Sequence, residues 1–319
     1  MKVFITGATG VIGRRAVPLL VAAGHAVTAV ERSCVGAAHI AHVGAQPIEL
    51  DLFDARAVRA ALAGHEAVIN LATHMPETTL KMLLPGAFGL SVWAENDRLR
   101  SEGARNIAEA ALAGGAKRLI QESFAPVYPD CGERWIDERV PIAPARYNRT
   151  VADAERAAER FTQAGRSGIV LRFAAFYGPD AMQFSDLMRA LRLGIAPLPS
   201  SPAAYISSIS HDDAAAAVVA SLAAPAGAYN VSDDEPLTRR AYFDTLARLI
   251  GAPPPRIPPA WLAPLFGSAG RLMARSQRIA NSKLRAATGW APRYPSVREG
   301  FAATLREQRE AQAPHAQAA

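Results

Sequence analysis

A doubly wound, parallel α/β sheet with a smaller C-terminal lobe is predicted by three observations. Short apolar runs alternate with helical stretches from Lys2 to Gly178. A turn rich in glycine, GATGVIG, separates the first run from the first helix. After Gly178 the texture changes to Pro-rich, irregular sequence. Strands that alternate with helices at this spacing pair in parallel, because each crossover carries the chain back across one face of the sheet.

The elements follow in order. Lys2 to Ile5 is an apolar run and reads as a strand buried on both faces. A helix spans Val11 to Ala23, and Gly24 stands where a helix stops. AVTAV is the second strand and ends at Glu31; QPIELDL is the third, and DARAVRAALAGH is a helix. EAVINLA is the fourth strand, LRSEGARNIAEAALAGG a helix with a Gly-Gly stop, and KRLIQES the fifth strand. A long helix rich in Ala and Arg is expected from Tyr147 to Ala164, then a sixth strand, SGIVLRFAAFYG. Farther on come a helix from His211 to Leu222 and a strand, GAYNVSD. This division gives a dinucleotide-binding unit over 1–175, to which 203–232 returns. A substrate-binding lobe is made of 176–202 and 233–305, and 306–319 is a flexible tail.

Composition narrows the function. The 319 residues are 50% hydrophobic and 20% charged, which suits a folded chain with a sizeable core. The formal net charge is +6. The arginines are scattered through helices with no basic block and no interleaved aromatics, so a solvated surface is expected and nucleic acid is not. Cys34 and Cys131 have no CxxC spacing, and the seven histidines show no HxH or HExxH pattern, so neither a disulfide framework nor a metal site is expected. No long uncharged apolar run and no leader pattern is found, so a cytoplasmic protein without a membrane span is expected.

The glycine turn carries the first chemistry. Gly7 permits the tight turn, Gly10 lets backbone approach a pyrophosphate, and Gly13 lets the helix lie close to the sheet. The helix N-terminus offers unpaired N–H groups and the positive end of its dipole. Glu31 ends the second strand, where a carboxylate accepts hydrogen bonds from the adenosine ribose and favours NAD. Arg32 follows, and an arginine there pairs with a 2′-phosphate and favours NADP, so the choice between NAD and NADP stays open. Asp51 and Leu52, at the end of the third strand, are placed for the adenine. A helix cap or loop residue is the lesser reading of Asp51. The expected cofactor contacts are Gly7, Thr9, Gly10, Val11, Ile12, Gly13, Glu31, Arg32, Asp51, Leu52, Leu71, Ala72 and Thr73.

With these pieces in place, the chain resembles an extended short-chain dehydrogenase/reductase of the NAD-dependent epimerase/dehydratase group. GATGVIG, ELDLFD, VINLA, GARNIAEAA, APVYPD, LRFAAFYGP, HDDAAAAV, GAYNVSDDEPLT and NSKLRAATGWAPRYPSVREGF carry the resemblance over nearly the whole length. It implies a Rossmann-type sheet, a small-molecule substrate and, by analogy, a homodimer. It also implies an active site built from a Tyr, a Lys four residues later, a Ser or Thr at the end of the fifth strand, and an Asn on the preceding helix. Positions i and i+4 share a helix face, so the Lys cation lowers the Tyr pKa.

The chain departs from that pattern. Tyr147 stands in place and Glu155 matches the acidic residue that follows, but the lysine position holds Val151. Phe124 stands where the hydroxyl belongs, with Ser123 one position off, and Arg100 replaces the Asn. Three readings follow: an oxidoreductase with a non-standard proton relay, a cofactor-binding redox sensor without turnover, or a nucleotide-sugar epimerase/dehydratase holding NAD tightly. In the first, Tyr147, Ser123, His74 and Glu122 are the candidate catalytic groups, and Arg100 or Lys81 is the activating cation. Glu122 acts there as a base or pairs with Arg100. Arg172 and Tyr177, at the end of the sixth strand, either line the substrate cleft with Arg100 or bind the lobes together. Asp213 reads as structural, and Trp261, Leu265, Phe266, Leu272 and Met273 as core or a subunit contact.

Overall fold

The structure, a computed structural model, describes residues 1–31, 33–75 and 90–316. Its strands are β1 (Lys2–Thr6), β2 (Ala26–Val30), β3 (Gln46–Ile48), β4 (Ala67–Asn70), β5 (Arg118–Phe124), β6 (Trp135–Ile136), β7 (Ser167–Phe173), β8 (Ala175–Tyr177), β9 (Tyr205–Ile206), β10 (Ser208–Ser210), β11 (Gly227–Val231), β12 (Leu237–Thr238) and β13 (Arg278–Ile279). The main helices are α1 (Gly13–Ala22), α2 (Cys34–His42), α3 (Ala55–Ala61), α4 (Ala94–Arg98, continued through Ala104–Ala113), α5 (Val151–Gln163), α6 (Met182–Arg192), α7 (His211–Ser221), α8 (Arg239–Leu249), α9 (Gly267–Met273), α10 (Ser282–Thr288) and α11 (Val297–Ala316).

Seven parallel strands form the central sheet in the order β11-β7-β5-β4-β1-β2-β3. The order reverses at β1, and the crevice beyond the carboxyl ends of β1 and β4 is where such sheets hold ligands. Register aligns Thr6, Asn70 and Gln121 across three adjacent strand ends. The Thr6 hydroxyl donates to Asn70 Oδ1 at 2.6 Å, and Asn70 Nδ2 donates to Gln121 Oε1 at 2.8 Å. All three are buried, so this row satisfies its own polar atoms and fixes the strand ends beneath the crevice.

Each face of the sheet has its own core. Val3, Ile5, Ile69 and Ile120 pack on one face with Val17 and Leu20 of α1 and Val218 of α7. Phe4, Val68 and Leu119 pack on the other with Val58 of α3, Ile107 of α4 and Phe161 of α5. Alternate residues of one strand therefore serve opposite cores. The lobe has a third core, in which Tyr177, Phe184, Tyr242, Phe243 and Phe301 meet edge to face or tilted.

Several elements differ from the sequence reading. The long helix begins at Val151; Tyr147 lies before it in a 3₁₀ turn, Arg146–Asn148. The sixth strand breaks at Ala174, and β8 leaves the main sheet to pair with β10, which carries Tyr177 into the lobe. Helices α2, α6 and α8 were not expected. Ser33 caps α2 by accepting from the Gly36 N–H, and Thr238 caps α8 by accepting from the Ala241 N–H. In α6, Phe184, Met188 and Leu191 recur on one buried face. Leu284 and Trp290, assigned to the lobe, pack into the first sheet core instead. Helix α11 runs to Ala316, through the region expected to be a frayed helix and tail, and it buries Phe301 and Leu305 against the lobe core. Burial of such side chains contributes about 1.5–3 kcal/mol each.

Candidate active site

The glycine turn is built as its spacing requires. Gly7 has φ +68°, and a Cβ there would lie 2.5 Å from the Leu71 carbonyl oxygen. Only glycine takes that conformation without strain, and only glycine lets β1 and β4 end this close together. A Cβ on Gly13 would overlap the Gly7 carbonyl and the Ala8 backbone. At Gly10 a Cβ would meet, among the described residues, only the Gly7 carbonyl oxygen, at 3.2 Å, so the outer side of the turn is clear of them. Ile12 is buried beneath the turn and Val11 packs against the same core. Leu71 is buried, Ala72 half-buried, and Thr73 exposed.

Glu31 is tied to this turn. The Thr9 hydroxyl donates to Glu31 Oε2 at 2.5 Å, and the Ser33 N–H and hydroxyl donate to Oε1 at 2.8 and 2.7 Å. Gly36 leaves room for this carboxylate, since a Cβ there would meet its Cδ at 2.5 Å. Asp51 turns its carboxylate to the Phe53 N–H at 2.9 Å, and the Leu52 carbonyl accepts from Asn106 Nδ2 at 3.0 Å. The guanidinium of Arg98 covers the Phe53 ring at 3.7 Å. Arg32 and Lys81 lie outside the described residues. The glycine spacing, the clear outer side of the turn and the fixed carboxylate fit a dinucleotide. The turn would hold its pyrophosphate and Glu31 its adenosine ribose.

Tyr147 stands in an apolar setting. Its ring meets Trp93 at 5.1 Å and 55°, and Ala269 and Leu272 of α9 complete a buried cluster. Val92, Phe124, Ala145 and Met273 pack around it, each half-buried. No described residue hydrogen-bonds the Tyr147 hydroxyl. Burial pushes that hydroxyl up to about 12, although the charges of Arg100 and Arg275 pull the other way. Val151 is fully buried, so the position that would carry the lysine is core.

Arg100 and Glu122 meet behind this cluster. Arg100 lies on a π turn, Leu99–Gly103, inside α4, and its Nη2 stands 3.6 Å from Glu122 Oε1. Such turns often re-aim a side chain at a functional site. Both residues are buried, and Arg100 Nε and Glu122 Oε2 have no hydrogen-bond partner. Burial raises the Glu122 carboxyl above its ordinary range and the nearby Glu155 adds to this, while Arg100 opposes it. Next to Tyr147, Asn148 is also buried with neither amide atom bonded.

The other candidate residues lie elsewhere. Ser123 donates to Glu155 Oε1 at 2.6 Å. Arg172 holds the same carboxylate through Nε at 2.8 Å and Nη2 at 2.6 Å, and it donates to the Tyr128 hydroxyl at 2.7 Å. Tyr128 in turn donates to Asn230 Oδ1 at 2.8 Å. This buried network joins α5, β5, β7 and β11. Tyr177 packs on Phe301 in the lobe core, with its hydroxyl buried and unpartnered. His74 is exposed; its N–H donates to Asn96 Oδ1 at 3.0 Å, and its ring stands 3.6 Å from Glu95. Sequence reasoning missed Trp93 and Asn148. Trp93 precedes a helix whose start it did not place, and Asn148 is visible only as the neighbour of Tyr147.

Similarity to known proteins agrees with this construction. Residues 3–232 match the model of the NAD dependent epimerase/dehydratase family. A 3-diazoavenalumate denitrifying reductase from a Streptomyces species is 37% identical, over 94% of this chain and 99% of that protein. A dTDP-4-dehydrorhamnose reductase from Streptomyces griseus is 31% identical, over 80% of this chain and 78% of that one. Among solved structures, the UDP-glucose 4-epimerase of Thermotoga maritima superposes with a TM-score of 0.76 at 21% identity, covering 98% of this chain and 99% of the other. It shares the fold. This chain is an NAD(P)-dependent enzyme of the oxidoreductase type and belongs to the NAD-dependent epimerase/dehydratase family.

Proposed function

We propose that this enzyme is a reductase in which Tyr147 works as a neutral proton donor, with no lysine to ionise it. The observation that carries this reading is the Tyr147 hydroxyl itself, which no described residue hydrogen-bonds and which burial pushes up to about 12. Oxidation of an alcohol begins with a base, and a tyrosine that keeps its proton is a poor one. Reduction of a carbonyl ends with an alkoxide that needs a proton, and a neutral tyrosine supplies it. The bound nicotinamide would provide the hydride. Arg100, 3.6 Å from Glu122, favours ionisation of the Tyr147 hydroxyl, but burial outweighs its charge. The names of the two curated relatives described above support the reductive direction.

The test is turnover of a panel of ketones and aldehydes with NADH and NADPH. Tyr147→Phe is expected to lower kcat by about 100-fold or more, with cofactor affinity unchanged. The kcat of the unaltered enzyme is expected to stay level between roughly pH 6 and pH 9, since a group near 12 does not titrate there. Unchanged turnover in the Phe variant removes Tyr147 from the chemistry. A second reading comes from the lost relay combined with the diazo-reducing relative. An arene diazo group that takes hydride loses nitrogen and builds no alkoxide. Tyr147→Phe would then spare turnover of a diazo compound while abolishing that of a ketone.

A further inference from the structure

The lobe carries a cavity outside the site described above. Helices α6 and α11 meet where the ring of Phe184 leans on that of Phe301, at 5.3 Å, and both pack against α8. Beyond that contact a cavity of about 480 Å³ opens among the three helices. Its lining shares no residue with the glycine turn or with the cluster around Tyr147. Cavities of about 300–1,000 Å³ are the size that holds small molecules.

Helical spacing divides the lining by chemistry. Met188 and Arg192 stand four apart on α6, with Arg189 beside them, and Leu305 and Arg309 stand four apart on α11. Each pair puts an apolar side chain in the floor and a guanidinium one turn along. Met188 and Leu305 are buried, and Leu249, from the end of α8, is half-buried, whereas Arg189, Arg192 and Arg309 are exposed. Arg189 donates to Asp186 Oδ1 at 3.0 Å. Arg192 and Arg309 make no ion pair among the described residues, and among these no carboxylate lines the cavity. A cation in the last turn of a helix complements the helix dipole, which accounts for Arg189 and Arg192. Arg309 lies well inside α11, where the dipole makes no such demand. Among the described residues the lining holds no aromatic ring on which a nucleobase could stack.

We propose that this cavity binds an amphiphilic anion, an alkyl carboxylate of medium chain length. Its chain would cover Met188, Leu249 and Leu305, and its carboxylate would meet Arg192 and Arg309. Covering an apolar floor favours the chain, and a guanidinium receives a carboxylate through two N–H groups. The proposal does not depend on the reductase reading.

The full chain is titrated by calorimetry with dodecanoate, held below its micelle concentration, and separately with dodecyltrimethylammonium and with inorganic phosphate. One dodecanoate per chain is expected, with a Kd below about 100 μM. The ammonium has the chain without the negative charge, and phosphate the charge without the chain, so each is expected to bind at least about 10-fold more weakly. These two controls test the proposal on the unaltered chain. Reversing the exposed pair, Arg192→Glu with Arg309→Glu, is expected to weaken dodecanoate about 10-fold or more, with the thermal midpoint and the NADH Kd unchanged. A dodecanoate Kd indifferent to that reversal would put the ligand elsewhere and overturn the proposal. So would no binding of dodecanoate, or equal binding of either control. Capture of the chain by phosphatidylglycerol vesicles would also overturn it, since the arginines would then be a membrane contact and not the rim of a site for a free amphiphile.

Discussion

The glycine turn after β1 and the neighbourhood of Tyr147 sit at the same edge of one sheet and have been kept to different standards. In the turn, Gly7, Gly10 and Gly13 each answer a separate requirement, and Glu31 is fixed by Thr9 and Ser33. Around Tyr147, the lysine position is a buried valine and the hydroxyl position a phenylalanine. The difference is physical. Approach of backbone to a pyrophosphate is a matter of excluded volume, for which glycine has no substitute. A proton donor needs only a group of suitable pKa within reach, and burial, a buried ion pair or a different acceptor can each change what the neighbours must supply.

The largest effects are expected in the turn, and two of its glycines separate folding from binding. Gly13→Ala places a methyl group into the Gly7 carbonyl and the Ala8 backbone. It is expected to cost about 3 kcal/mol or more, read as a lowered midpoint in urea. Gly10→Val points its side chain outward, where only the Gly7 carbonyl stands near. That variant is expected to keep its stability within about 1 kcal/mol and to lose about 100-fold or more in NAD(P) affinity. Equal stability losses in the two would mean that the turn is built for packing alone.

Comparable in size are the effects expected in the network behind Tyr147. Glu155 and Arg172 are both buried and bidentate, and Arg172→Leu leaves the Glu155 carboxylate without its cation. Removing one partner of a buried pair costs about 3–5 kcal/mol. Ser123→Ala removes one bond to that carboxylate and leaves both from Arg172, so it is expected to cost about 2 kcal/mol with kcat within about twofold. A 100-fold loss of kcat in Ser123→Ala at unchanged stability would return the serine to the proton relay and break the contrast drawn above.

Much of this was legible in the sequence where the signal is local. Strand β1, the turn and Glu31 lie within 31 residues, and glycine spacing reports backbone geometry directly. The pairing of Arg100 with Glu122 could be named because strand ends and helix starts meet at one edge of a parallel sheet. The network of Ser123, Glu155, Arg172, Tyr128 and Asn230 could not, since nothing in a sequence tells a strand-end arginine bound to substrate from one bound to a helix carboxylate. Helix α6 was readable from Phe184, Met188 and Leu191, but its Pro-rich flanks concealed the period. Ala174 shows a harder case: an unbroken apolar run spans β7 and β8, and only the departure of Tyr177 into the lobe reveals two strands.

The smallest effect bears on which cofactor the turn prefers. The Glu31 carboxylate accepts from the Thr9 hydroxyl and from two donors of Ser33. A ribose 2′-hydroxyl donates to such a carboxylate, whereas a 2′-phosphate meets charge of the same sign. The enzyme is therefore expected to bind NADH more tightly than NADPH. Glu31→Ala removes the repulsion and the hydroxyl acceptor together, so affinity for NADH falls while that for NADPH holds or rises. The ratio of the two Kd values is expected to move about tenfold toward NADPH, which corresponds to about 1.4 kcal/mol. Because Glu31 is bonded to the turn through Thr9, a Thr9→Val variant sharpens the measurement. It removes one bond to the carboxylate without removing Glu31, and it should loosen the turn while leaving the preference for NADH in place. A preference that follows Thr9 instead of Glu31 would mean that the geometry of the turn, and not the charge beside it, selects the cofactor.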